Sequence, residues 1–252
     1  MKLFSSEELR ILRALSGKIK AGIFYPEIYL PRSLVLKKFL FSLFFISALI
    51  ASLCTPSYAA DSFDSAVFFG DSTTAHMAVR GGIPQSRVWS GKDSTVRFSS
   101  VNKEKCVYAG GVSLTLAEAV KKYRPPILVI TVGVSGGAGV MSKDSFQNVY
   151  RQMLQSVMAA SPDTQIYVQS ILPLSDRSVE YYKKITKDAV LEANSWIREV
   201  CASLSVPYID THSLLTDENG YLKQEYQNDP YMHLTASAYK AIISNLRKNI
   251  KK

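Results

Sequence analysis

Ser72 and His233 are the residues of this chain whose types and settings best suit covalent chemistry. A serine hydroxyl is a weak nucleophile at neutral pH and needs a neighbouring base to take its proton as it attacks. Histidine suits that task, because its near-neutral pKa lets it accept the proton and return it to a leaving group. A carboxylate on the other ring nitrogen would fix the tautomer and stabilise the imidazolium. Asp229, four residues before His233, is the obvious one. The reaction also needs donors aimed at the oxygen that gains negative charge. The Ser72 amide, at the start of a predicted helix, and the backbone N–H groups of the Gly110-Gly111 turn are the candidates.

Each residue alone also has a plain reading. Gly70-Asp71-Ser72 after an apolar run fits a loop with a helix cap, and one histidine before a terminal helix fits a packing role. What joins them is the order of elements. Short apolar runs alternate with longer amphipathic ones, the pattern of a parallel sheet with helices on both faces. The predicted strands are Ala66 to Phe69, Lys105 to Tyr108, Ile127 to Val132, Gln165 to Ile171 and Val206 to Ile209. The clearest predicted helix runs from Lys143 to Ala160, with Ser142 as cap. Others run from Tyr182 to Ser203 and onward from the cap Thr235. In such sheets ligands bind beyond the carboxyl ends of the strands. That rule brings Gly70 to Thr74, Ala109 to Ser113, Gly133 to Gly139 and the Asp229–His233 segment to one crevice. Residues 74–104 and 174–182 would wall it, with Arg80, Trp89, Tyr181 and Tyr182 as possible sugar contacts. His76, inside the first helix, and His212, after the fifth strand, read as surface or packing residues.

The front of the chain has a different composition. Lys37 and Lys38 precede an uncharged, mainly apolar run over residues 39–53, and Thr55-Pro56-Ser57-Tyr58-Ala59-Ala60 follows. This is the layout of a secretory signal, with cleavage expected after Ala59 or Ala60. The run is shorter than the roughly 20 residues of a spanning helix, so a membrane association would come only from an uncleaved signal segment. Residues 1–34 precede this signal and read as a misassigned start or an N-terminal extension, residues 35–60 as the signal peptide and residues 61–252 as the functional domain. Export would make the product secreted or associated with the cell envelope. Of 30 basic and 21 acidic residues, 8 and 3 lie in the first 60, leaving a mild net charge of +4 in the remainder. No basic groove interleaved with aromatics suggests nucleic acid. Cys106 and Cys201 permit a disulfide or two buried free thiols, and no Cys or His spacing has the form of a metal site.

Gly70-Asp71-Ser72, the glycine turn at Gly110-Gly111, Val132-Gly133-Val134-Ser135 and the Asp-to-His segment followed by Leu234-Thr235 together resemble the SGNH/GDSL hydrolases. The resemblance spans residues 64–250 and extends to Gln169-Ser170-Ile171-Leu172-Pro173 and to Asn194. It implies a flavodoxin-like three-layer α/β/α fold with a five-stranded parallel sheet, and serine-dependent hydrolysis of acyl esters such as acetylated sugars or lipids. Ser72 would be the nucleophile and His233 the base, the oxyanion hole would include the Ser72 and Gly110-Gly111 amides, and no metal or organic cofactor is implied. The implied partner is an ester substrate, either a small molecule or a polysaccharide, with O-acetylated carbohydrate on or near the cell envelope as the favoured case. Two positions depart from the family pattern. Ser135 stands where an asparagine usually supplies an oxyanion donor. Pro230 occupies the usual place of the carboxylate, three residues before the histidine, with Asp229 one further back. These departures keep open a glycan-binding member that does not cleave; acyl transfer to a sugar is a third reading.

Overall fold

The computed structural model describes residues 62–250, so the expected N-terminal extension and signal peptide lie outside the described residues. In chain order the main elements are β1 (Ala66–Gly70), α1 (Ser72–Arg80), β2 (Val88–Trp89), β3 (Val107–Ala109), β4 (Val112–Leu114), α2 (Leu116–Tyr123) and β5 (Ile127–Thr131). There follow α3 (Lys143–Ala160), β6 (Gln165–Gln169), α4 (Lys187–Ser203), β7 (Tyr208–Ile209), α5 (His212–Leu215) and α6 (Ala236–Asn249).

Five strands form one sheet in the order β2-β1-β5-β6-β7, and every neighbouring pair is parallel. This is the expected α/β architecture. The strands read as apolar runs because helices cover both faces, and successive side chains serve opposite cores. Phe69, Leu128, Ile130, Ile166 and Val168 face one core, which is completed by Phe146, Tyr150 and Leu154 of α3 and Ile197 and Val200 of α4. Phe68, Ile127, Val129 and Tyr167 face the other, against Met77 of α1 and Tyr239, Ile242 and Leu246 of α6.

Ser142 caps α3 and Thr235 caps α6, as their sequences predict. Two expectations need correction. The sheet's second strand is not Lys105 to Tyr108 but the two-residue β2, which pairs Phe68 with Val88 and Phe69 with Trp89. The chain around residue 107 instead forms a separate antiparallel hairpin, β3 with β4, whose turn is Gly110-Gly111. α4, expected from Tyr182, starts at Lys187, because Thr186 stops the chain in an extended conformation and its Oγ1 accepts from the Ala189 N–H at 3.1 Å.

Cys106 and Cys201 are buried free thiols rather than a disulfide. Burial pushes Cys106 up to about 11 and Cys201 up to about 12. Because the thiolate is the reactive form, neither thiol should react with Ellman's reagent at pH 8 in the native protein, and both should react after denaturation. Peptide mapping of the labelled sites checks this, and rapid native labelling of either would contradict it.

Candidate active site

Ser72 is positioned by a glycine and a cap. A Cβ on Gly70 would lie 2.4 Å from the Thr131 carbonyl oxygen and 2.1 Å from Thr74 Oγ1, so only glycine lets β1 end against both β5 and the first turn of α1. Asp71 then starts the helix. Its Oδ1 accepts from the Thr73 N–H at 3.1 Å and from Thr73 Oγ1 at 2.8 Å, a side-chain N-cap that satisfies donors the helix leaves free. Burial raises the Asp71 carboxyl above its ordinary range, although the Thr73 bonds and the charge of His233 pull the other way. Ser72, first residue of α1, therefore sits where the helix N-terminus favours negative charge.

His233 sits in a closed loop. Gln227 bridges Leu234 in antiparallel fashion, and the Asn228 N–H donates to the His233 carbonyl at 2.9 Å. The Asp229 carboxylate fills this loop, its Oδ1 accepting from the Tyr231 N–H at 2.9 Å and the His233 N–H at 3.2 Å. Its Oδ2 accepts from His233 Nδ1. The extra residue at Pro230 is thus absorbed by a turn that folds around the carboxylate, and Asp229 reaches the ring. With Nδ1 donating to Asp229, Nε2 is left as the acceptor. It lies 3.0 Å from Ser72 Oγ. Burial works against the Asp229 charge, but the bonds from the Tyr231 N–H, the His233 ring and the His233 N–H outweigh it, and the carboxyl is held below its ordinary range. Tyr239 of α6 locks the two halves together, its hydroxyl donating to the Thr73 carbonyl at 2.7 Å.

Other loops reach the site unequally. Val132 and Val134 join Asp71, Thr73, Thr131, Ile171, Leu172 and Met232 around a cavity of about 20 Å³. Ser135 follows Val134. Its carbonyl accepts from the Phe98 N–H at 2.7 Å, and its hydroxyl makes no hydrogen bond to the described residues.

Gly110 and Gly111 are not at the site. Gly110 opens onto a 660 Å³ groove with Val67, Pro125 and Pro126, residues at the amino ends of β1 and β5, whereas Ser72 lies past their carboxyl ends. The reason is the misread strand: β3 belongs to the hairpin, so its turn is displaced from the crevice. Ser90 and Gly91 follow β2 directly, beyond the Phe69–Trp89 pair that ends its pairing with β1. A Cβ on Gly91 would fall 2.2 Å from the Thr95 carbonyl oxygen, so this turn also requires glycine.

Comparison with known proteins bears on the same residues. The GDSL-like Lipase/Acylhydrolase family matches residues 68–241, from the strand before Ser72 to the helix after His233. The chain belongs to that family. Among solved structures, a protein of Streptococcus pneumonia provisionally assigned as a platelet activating factor aligns with a TM-score of 0.56 at 17% identity, over 81% of this chain and 97% of its own. A GDSL-like lipase from Bacteroides thetaiotaomicron gives 0.52 at 16% over 80% and 93%, and the acetyl xylan esterase AlAXEase gives 0.51 at 12% over 74% and 99%. At these identities the likeness establishes the fold. A search of curated proteins gives no match.

In this GDSL-family site the remaining candidates separate clearly. Trp89 is 3% exposed and belongs to the core rather than to a sugar contact. Arg80 ends α1, two turns beyond Ser72, and is not brought to it. His212 is a packing residue, its Nδ1 3.0 Å from the Ile171 carbonyl. Asn194 works from behind, accepting from the Ile171 N–H at 2.8 Å and donating to the Ile171 carbonyl at 3.0 Å, which pins the loop after β6. His76 is more than a packing residue of α1. One helical turn after Ser72, its ring meets that of His233 edge-on with centroids 4.9 Å apart. Burial, then the charges of His233 and Arg80, lower its pKa. The signal was the i, i+4 spacing of Ser72 and His76, which puts both on one helical face.

Proposed function

We propose that this chain is a serine ester hydrolase in which Ser72 attacks the acyl carbon, His233 takes the Ser72 proton and Asp229 holds the ring. The observation that carries the reading is the hydrogen-bonded series Ser72 Oγ, His233 Nε2, His233 Nδ1 and Asp229 Oδ2. As the Ser72 oxygen bonds to the carbonyl carbon, its proton passes to Nε2. The resulting imidazolium gives that proton to the departing alkoxide when the ester bond breaks, leaving an acyl-serine. Water activated by the same nitrogen then releases the acid. The Ser72 amide and the neighbouring Gly91 amide are the proposed backbone donors to the oxyanion.

The favoured substrate is a short acyl ester, above all an O-acetyl group on a carbohydrate. The 20 Å³ cavity between Asp71, Thr73 and Met232 supports this, since it has room for one water-sized group such as a methyl. The fold shared with an acetyl xylan esterase makes sugar acetates the first substrates to test. The apolar run at residues 39–53 supports action outside the cytoplasm. A fluorophosphonate probe on the folded protein tests the chemistry: labelling at Ser72 and hydrolysis of p-nitrophenyl acetate are expected, and a folded protein that does neither would refute it.

Ser135 favours a second reading, a glycan-binding member without turnover, because its short hydroxyl stands where the family pattern has an asparagine side chain. The two readings separate on variants. If the Ser135 hydroxyl donates to the oxyanion, Ser135→Ala should lower kcat by about 10²-fold, with the melting temperature little changed, and Ser135→Asn should retain or raise it. Equal activity in all three proteins would remove this loop from the oxyanion hole.

A further inference from the structure

A cluster of three tyrosines stands beside the base and takes no part in the proton transfers. Tyr231 lies within the Asp229–His233 loop, and its N–H is one of the donors to the Asp229 carboxylate. Its ring meets Tyr181 edge-on at 4.5 Å between centroids and Tyr182 at 6.2 Å. The segment carrying Tyr181 and Tyr182 is tied to the histidine loop by the Ser175 N–H donating to the Tyr231 carbonyl at 3.0 Å and by Ser175 Oγ donating to Gln227 Oε1 at 2.9 Å. Ser175 and Ser178 are buried, so the turn between them is anchored while Tyr181 stays 45% exposed. Burial raises the Tyr182 hydroxyl, and the charges of Asp229 and Asp71 add to the shift, in keeping with a phenol that faces the crevice.

We infer that Tyr181, Tyr231 and Tyr182 form a binding platform for the sugar ring that carries the ester, so that substrate choice is set by the saccharide rather than by the acyl group. This rests on the hydrolase reading and deepens it. Tyrosine rings offer an apolar face with a polar hydroxyl at the edge and little side-chain entropy to lose. That combination matches a pyranose, which presents C–H groups on its face and hydroxyls around its rim. An alkyl chain would instead need a continuous apolar channel. The cavity lined by Asp71, Thr73 and Met232 holds only about 20 Å³, and the turn before Tyr181 carries the Arg177–Glu180 ion pair on its surface. The platform is also pre-built, because the turn that sets Asp229 against His233 sets the Tyr231 ring as well.

The test compares kcat/KM for an acetylated xylo-oligosaccharide with that for p-nitrophenyl acetate in wild type, Tyr181→Ala and Tyr231→Ala. The ratio of the two is independent of how much protein is folded. It should fall about tenfold in each variant, the size of one lost aromatic contact, with the loss appearing in KM. An unchanged ratio, or a wild type that neither cleaves nor binds the oligosaccharide, would overturn the platform. If no ester is cleaved by the wild type, calorimetry with deacetylated xylo-oligosaccharide still decides: binding weakened by Tyr181→Ala supports the platform while the hydrolase reading fails, and binding unaffected by it refutes the platform.

Discussion

Ser72→Ala is expected to reduce ester hydrolysis by about 10⁴- to 10⁶-fold while leaving the fold intact. The size follows from removing the only atom that forms the covalent bond, so what remains is the contribution of oxyanion donors and binding. The fold should survive because, among the described residues, the Ser72 side chain bonds only to His233. The helix cap belongs to Asp71, and alanine is the better helix former at this position. Hydrolysis of p-nitrophenyl acetate measured beside circular dichroism and a thermal melt checks both halves. A well-folded variant keeping more than a tenth of wild-type activity would place the nucleophile elsewhere.

Asp229→Asn should cost about 10³- to 10⁴-fold, nearly as much, although the side chain keeps its size and its Oδ1 can still accept from Tyr231 and His233. The amide nitrogen of asparagine would donate to His233 Nδ1, which moves the ring proton to Nε2 and leaves no acceptor for the Ser72 hydroxyl. Stability gives a second readout. The folded-state pKa of Asp229 is depressed. Its ionised form therefore stabilises the fold above the unfolded value, about 3.9, and that contribution disappears as pH falls through the folded value. Melting temperatures of wild type and Asp229→Asn should accordingly differ most near neutral pH and converge on acidification. A gap that widens toward low pH would contradict the assigned charge.

The parts of this fold legible in the sequence are those with long, repeated signals. α3 was bounded at both ends because eighteen residues of three-four periodicity lie between a serine cap and Ser161-Pro162. The central strands β1, β5 and β6 were readable because burial on both faces makes them continuous apolar runs. β2 was not, since two residues carry no period. Its place in the sheet depends on pairing with β1, which is a tertiary fact. The chain at 105–108 looked like a strand and is one in part, but nothing local says that its partner is a hairpin. That misreading placed the expected glycine donors on the hairpin turn, at Gly110 and Gly111. Ser72, His233 and Asp229 were found because their chemistry restricts residue type. The reach of Asp229 across Pro230 was left open by the sequence, because it depends on a turn closed by backbone bonds.

The Ser72–His233 contact joins residues 161 positions apart, and the Tyr239–Thr73 bond that braces it spans 166. Neither half of the polypeptide holds a working nucleophile, so turnover exists only once the last helix has docked on the first. Catalysis is then a reporter of complete folding. In a denaturant titration, loss of activity should track global unfolding rather than precede it, and a chain caught part-way through synthesis would be harmless to any ester it met.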